Sequence, residues 1–149
     1  MFCVCAFELF FAARGINVYG YDVFAHLVEF WRCVIDCKNE LAEKVLEYYP
    51  LEKKLFYRLQ QSQTTFTTKL ERAAVYYVLN RSSFSGATLS GGMSPSHPRF
   101  TLSSIERLKN FYNPNFSVST CHFKASLLLH KNIFTYLDPP SLIERALYG

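Results

Sequence analysis

The sequence predicts an α/β fold, and three stretches predict it. The first is the apolar run Ile133 to Leu137, which ends abruptly in Asp138-Pro139-Pro140-Ser141. Proline supplies no ladder N–H, so a strand stops there. The Asp138 carboxylate is then left at the C-terminal mouth of that strand, where open α/β sheets bind ligands. A plain strand followed by a Pro-Pro turn explains the same four letters. The second stretch runs from Ala6 to Asp22: a short helix (Ala6 to Arg14), Gly15 as its stop, a strand (Asn17 to Tyr21) and an acid. That order is half of a nucleotide-binding βαβ unit. The third is Phe116 to Thr120, whose strict alternation reads as a strand.

Composition limits the function classes. A chain of 149 residues is one domain of ordinary size, or part of a larger one. Half its residues are apolar and 17% are aromatic, enough for a core and too many for a disordered chain. Apolar runs such as Leu9 to Ala13 are only a few residues long, far short of the roughly 20 a membrane-spanning helix needs. Met1 to Glu8 has no basic segment, so it reads as neither signal peptide nor anchor. No membrane partner is expected.

Charge is unevenly spread over the net +4. Residues 1–51 hold 4 Lys/Arg against 7 Asp/Glu, residues 52–109 hold 9 against 3, and residues 110–149 hold 3 against 2. A basic middle fits a phosphate-facing segment, or simply a solvated cationic face. The five cysteines are odd in number and no secretion signal accompanies them, so reduced thiols and an intracellular protein are expected. Cys33 and Cys37 stand four apart on a helix and Cys3 and Cys5 form C-x-C; zinc sites prefer tighter pairs, so these read as packing residues with no metal. His26, His97, His122 and His130 are scattered.

The remaining elements follow in order. Leu27, Phe30, Trp31, Val34 and Ile35 recur at helical spacing within 23–37. Helical character continues over 41–49 to Pro50 and over 51–61, and Thr64 to Thr68 break it. Lys69 to Leu79 is a strong helix. Asn80 to Phe100 is rich in Ser, Gly and Pro; a loop of about 20 residues in a compact domain is functional or disordered. Ser103 and Glu106 fit a capping box for a helix reaching Phe111. Residues 122–130 are helical, residues 142–149 have no clear partner, and no internal repeat is visible.

Two segments carry a family resemblance: Leu79-Asn80-Arg81-Ser82-Ser83-Phe84-Ser85-Gly86 and Tyr136-Leu137-Asp138-Pro139-Pro140. With helix 71–79 before the first and Pro98-Arg99-Phe100 after the loop, the chain resembles the Dam-type adenine-N6 DNA methyltransferases from about residue 2 to 149. The resemblance implies a partial Rossmann-like S-adenosylmethionine-dependent methyltransferase fold with a mainly helical target-recognition insertion. Residues 1–37 and 116–149 would form the catalytic part and residues 38–115 the recognition part. It implies S-adenosylmethionine as cofactor and double-stranded DNA as partner, with site-specific methylation of the adenine N6 amine.

The resemblance also assigns residues. Asp138, Pro139 and Pro140, with Ser141 at the family's stacking position, would hold the target amine. Phe2, Ala6, Phe7, Asp22, His122 and Phe123 would face the cofactor, with Asp22 on the ribose hydroxyls; as a bare residue, Asp22 reads equally well as a cap for helix 23–37. Asn80, Arg81, Ser82, Ser83, Phe84, Arg99, Arg107 and Lys109 would face DNA. Phe84 has two readings, an inserted wedge or an anchor packing the loop on the core, and the anchor is favoured.

Four departures from the family pattern shape the expectation. Val4 and Ala6 replace both glycines of the F-x-G-x-G loop, where a glycine would allow close backbone approach. His122 stands where an acid is usual, and Ser141 where an aromatic is usual. The family's strand before the glycine loop and several after D-P-P have no counterpart, so strands 17–21 and 133–137 are expected to lose a shared neighbour unless a second chain supplies it. Activity of this chain alone is therefore in question. The rivals are a non-catalytic DNA-binding remnant, and an unrelated cofactor-binding α/β protein in which D-P-P only stops a strand.

Overall fold

The computed structural model describes residues 6–95 and 99–137. The elements are α1 (Ala6–Ala12), β1 (Val18–Asp22), α2 (Ala25–Asp36), α3 (Lys38–Leu46), α4 (Lys53–Gln61), α5 (Lys69–Ser82), α6 (Leu102–Lys109), β2 (Phe116–Thr120) and α7 (Phe123–Leu129). Strands β1 and β2 are parallel, with Val18 opposite Phe116 and Asp22 opposite Thr120. Parallel pairing brings both C-terminal ends to one edge of the sheet.

Alternation along the strands decides what each face meets. Val18, Phe116 and Val118 pack with Ala12 of α1 and Val28 of α2. Tyr19 and Tyr21 point the other way, to the end of α7. There the Tyr21 hydroxyl lies 2.6 Å from His130 Nε2, and the Tyr19 and His130 rings stack at 4.9 Å. The sheet is thus the middle of three layers.

A larger core lies among the helices. Phe30, Val34, Leu41, Val45, Phe56 and Val78 are buried together where α2, α3, α4 and α5 meet. Trp31 joins this core to the sheet, its ring 5.6 Å from Phe111 and 5.4 Å from Phe116. Cys33 packs in the same core; burial, then the neighbouring Cys37, pushes its thiol up to about 12.

Helix α5 is the centre of the helical part. Thr68 caps it by accepting the Glu71 N–H, while Glu71 accepts from the Thr68 N–H in return. Ala73, Ala74, Val75, Tyr77, Val78 and Leu79 are all buried, so more than one face of the helix is covered. Arg72 ties α5 to α2 through two 2.8 Å bonds, Nε to Glu29 Oε2 and Nη2 to Glu29 Oε1. Its Nη1 donates to the Phe66 and Thr67 carbonyls at 3.1 and 3.0 Å.

The structure departs from the sequence reading in three places. First, α5 runs to Ser82, so Asn80, Arg81 and Ser82 are helical rather than part of the loop. Second, α6 is capped by Thr101 and Ser104, not by Ser103 and Glu106. That register lets Ser104, Ile105 and Leu108 face inward, and it leaves Glu106 exposed. Third, residues 133–137 form no strand. A strand exists through its ladder, and among the described residues the sheet contains only β1 and β2. Ile133, Phe134, Tyr136 and Leu137 consequently remain exposed, Phe134 at 84%.

The Glu29–Arg72 pair yields a pH prediction. The Arg72 hydrogen bonds hold the Glu29 carboxyl below its ordinary value of 4.5. Its contribution to stability is therefore fully present above about pH 4.5 and is lost progressively as pH falls from there through the lowered folded-state value. Arg72→Ala should lower the unfolding free energy by about 1–3 kcal/mol at neutral pH, since charged hydrogen bonds are lost. Urea titrations at pH 7 and pH 3.5 check this; the gap between mutant and parent should be smaller at the lower pH, and an equal gap at both would contradict it.

Candidate functional site

The loop after α5 is folded and is held by polar groups. Ser83 and Met93 form an isolated antiparallel bridge. The Phe84 N–H donates to the Gly92 carbonyl at 2.8 Å, and the Ser94 N–H to the Ser82 carbonyl at 2.7 Å. These bonds bring both ends of the loop to the C-terminus of α5. Inside it, Asn80 Nδ2 donates to Thr88 Oγ1 at 3.1 Å, and Gln60 Nε2 of α4 donates to the Thr88 and Gly91 carbonyls at 3.2 and 2.9 Å. A Cβ at Gly91 would sit 2.6 Å from the Ala87 carbonyl oxygen, so only glycine closes this turn.

The consequence of that closure is Phe84. Ser85 and Gly86 follow it with φ of 51° and 76°, two left-handed residues in succession. The chain turns sharply there, and the Phe84 side chain stands 65% exposed. This is opposite to the favoured anchor reading: the loop is pinned by amide and hydroxyl hydrogen bonds, and apolar burial of Phe84 plays no part. Ser82 and Ser83, named as DNA-facing candidates, are fully buried beneath it. Their hydroxyls are closed to a macromolecular surface, because the helix continues three residues farther than its sequence suggested, to Ser82, and turns Ser82 and its cap residue Ser83 inward.

The cationic candidates are distributed. Arg81 is half-buried with its guanidinium 5.6 Å from the Tyr77 ring centroid. Arg107 and Lys109 are exposed on α6, and Lys53, Lys54 and Arg58 are exposed on α4. Arg99 Nη2 donates to the Ser83 and Asn80 carbonyls at 2.6 and 3.1 Å. Three of the nine basic residues of the middle segment, Arg72, Arg81 and Arg99, are therefore engaged with the fold itself.

The cofactor-side candidates meet at the C-terminal edge of the sheet. Asp22 ends β1 and is half-buried; its Oδ1 accepts the Phe24 N–H at 2.7 Å. It thus steers the chain toward α2 although the helix itself starts at Ala25 and Phe24 is its cap residue. The Cys121 N–H donates to the Asp22 carbonyl at 3.2 Å, which sets the start of α7 beside Asp22. There His122 caps α7, its Nδ1 accepting the Lys124 N–H at 3.3 Å, and the His122 and Phe123 rings lie 4.6 Å apart. Phe7, on the outer side of α1, stacks on Tyr136 at 5.0 Å. The backbone of Ala6 begins α1, while Phe2, Asp138, Pro139, Pro140 and Ser141 lie outside the described residues.

The structure therefore brings Asp22, His122 and Phe123 together and places Phe7 against Tyr136. It sets Phe84 on a separate, clasped loop. Gln60, Thr88 and Gly91, which hold that loop, carry no chemical motif; the Gly91-Gly92 pair is the one local signal of a tight turn.

Residues 4–145 match the family model of the D12 class N6 adenine-specific DNA methyltransferases. No curated protein gave a match. With almost its whole length matched to that model, and with Asp22 at the strand end and Phe84 on its clasped loop, the chain belongs to the D12 class N6 adenine-specific DNA methyltransferase family.

Proposed function

We propose that this chain transfers a methyl group from S-adenosylmethionine to the N6 amine of adenine at a defined site in double-stranded DNA. The observation that carries the proposal is Phe84. An aromatic ring 65% exposed on a loop locked by hydrogen bonds is shaped to meet a flat partner, and a base offers one. Residues 38–115 would recognise the target, and residues 1–37 with 116–149 would carry out the transfer.

The half-formed cofactor edge supports the same reading. Asp22 Oδ1 is taken by the Phe24 N–H, and its second carboxylate oxygen can accept from a ribose hydroxyl. Phe7, His122 and Phe123 would line that side. The bound cofactor supplies an electrophilic sulfonium methyl. The chain supplies the geometry around the amine: adenine N6 is a weak nucleophile because its lone pair is delocalised into the ring. Asp138, through its carboxylate, and Pro139 or Pro140, through a carbonyl, would accept the two amine hydrogens and localise that pair. Ser141 offers a hydroxyl where an aromatic face would stack on the flipped base, which forgoes about 1–3 kcal/mol.

A second reading, DNA binding without methyl transfer, is favoured by one observation. His122 Nδ1 is already occupied by the Lys124 N–H, so it supplies no carboxylate-like acceptor to a cofactor. The second chain that the sequence leaves room for would add a strand beside β1, whose one strand neighbour among the described residues is β2. Sedimentation velocity across a hundredfold concentration range, alone and with candidate strand-bearing fragments, would show association; a monomer throughout argues against that partner.

Two further outcomes are expected. Tritiated S-adenosylmethionine and unmethylated duplex DNA should give label on adenine, and Asp138→Ala should reduce the rate by about 10²–10³-fold, as for loss of one oriented acceptor. Label that persists in Asp138→Ala removes Asp138 from the amine-holding role, and no label from the unaltered chain with DNA binding intact removes the catalytic reading. Phe84→Ala should weaken duplex binding roughly 5- to 150-fold by loss of base stacking, measured by fluorescence anisotropy, with the unfolding midpoint unchanged because the ring is exposed.

A further inference from the structure

We propose that Arg99 is a positioning residue that sets the DNA-facing loop from behind and does not itself meet phosphate. This deepens the reading given above and rests on it. The first observation is where the guanidinium goes. Arg99 Nη2 donates to the Ser83 carbonyl at 2.6 Å and to the Asn80 carbonyl at 3.1 Å. Both belong to the last turn of α5 and its cap, where carbonyls run out of helical partners and a positive charge is favoured.

The second observation is what those carbonyls would otherwise do. In a continued helix the Phe84 N–H would bond the Asn80 carbonyl. Here the Phe84 N–H donates to Gly92 at 2.8 Å, across the neck of the loop. Arg99 at 3.1 Å, with the Ser83 hydroxyl donating at 3.4 Å, thus satisfies the Asn80 carbonyl vacated when α5 gives way to the loop. It stabilises the one arrangement in which Ser83 bridges Met93 and Phe84 turns outward. The third observation is the opposite side of the same clasp. Asn80 Nδ2 reaches Thr88 Oγ1, so Asn80 is held by its carbonyl from Arg99 and holds the loop by its amide. A residue read from the sequence as facing DNA becomes part of the frame that presents the aromatic.

Phosphate contact and positioning differ in salt dependence. Each phosphate neutralised contributes about 0.9 to the slope of log affinity against log salt. Duplex binding by the unaltered chain, Arg99→Ala, Phe84→Ala and the double variant would be measured at several salt concentrations, with hydrogen exchange of amides 84–93 followed in each. Arg99→Ala should weaken binding by about the factor seen for Phe84→Ala and leave the salt slope unchanged. It should speed exchange in the loop and add little in the Phe84→Ala background. Arg99→Gln, which keeps N–H donors without the charge, serves if the alanine variant does not fold, and it too should keep the slope. A slope reduced by about 0.9, additive effects with Phe84→Ala, or unchanged loop exchange would overturn the proposal while the DNA reading stands. No binding by the unaltered chain would overturn the DNA reading, and Arg99's part in it also.

Discussion

Burial of α5 is the constraint on which the rest depends. A helix covered on more than one side cannot be amphipathic in the usual sense, and its apolar residues Ala73 to Leu79 have no polar face to turn to water. Helices α2, α3 and α4 supply the cover, and the small residues Ala73 and Ala74 let them approach closely. The Glu29–Arg72 pair is the one strong polar tie within that packing. A bidentate, half-buried pair fixes rotation as well as distance, so α5 is held in one register against α2. Because α2 also packs against the sheet through Val28, the same contact relates the helical part to the strand that carries Asp22.

The loop inherits its precision from that register. Its foundation is the last turn of α5, and its ties are hydrogen bonds from Asn80, Gln60 and Arg99 to backbone carbonyls and to Thr88. Such ties are directional, whereas apolar contacts tolerate sliding. A loop closed in this way can leave its largest side chain in water. The exposure of Phe84 costs little because the frame does not rely on it.

The sheet is the less complete part. Two parallel strands covered by α1 and α2 on one face and by α7 on the other leave Tyr19, Leu128 and Leu129 exposed. Parallel strands are ordinarily buried on both faces, and a pair of them is marginal alone. Even so, the pairing brings Asp22 and His122 to one edge through the Cys121–Asp22 bond. The cofactor-side candidates therefore share an edge although a hundred residues separate them in the chain.

Much of this was legible in the residues themselves. Alternation in Phe116 to Thr120 placed β2 to the residue, helical spacing placed α2 and α5, and the N-R-S-S-F-S-G and D-P-P segments pointed to the family. Local periodicity and short motifs are properties of neighbouring residues, so a sequence carries them directly. Three features depended on groups distant in the chain. Ile133 to Leu137 has strand composition but no ladder among the described residues, because a ladder needs a neighbouring strand that local composition does not provide. Phe84 looked like an anchor because it is apolar, and only the clasp from Gln60, Asn80 and Arg99 shows that the loop holds without it. Charge counting gave nine cations in the middle of the chain, yet where each guanidinium ends is set by the carbonyls and carboxylates that folding brings within reach.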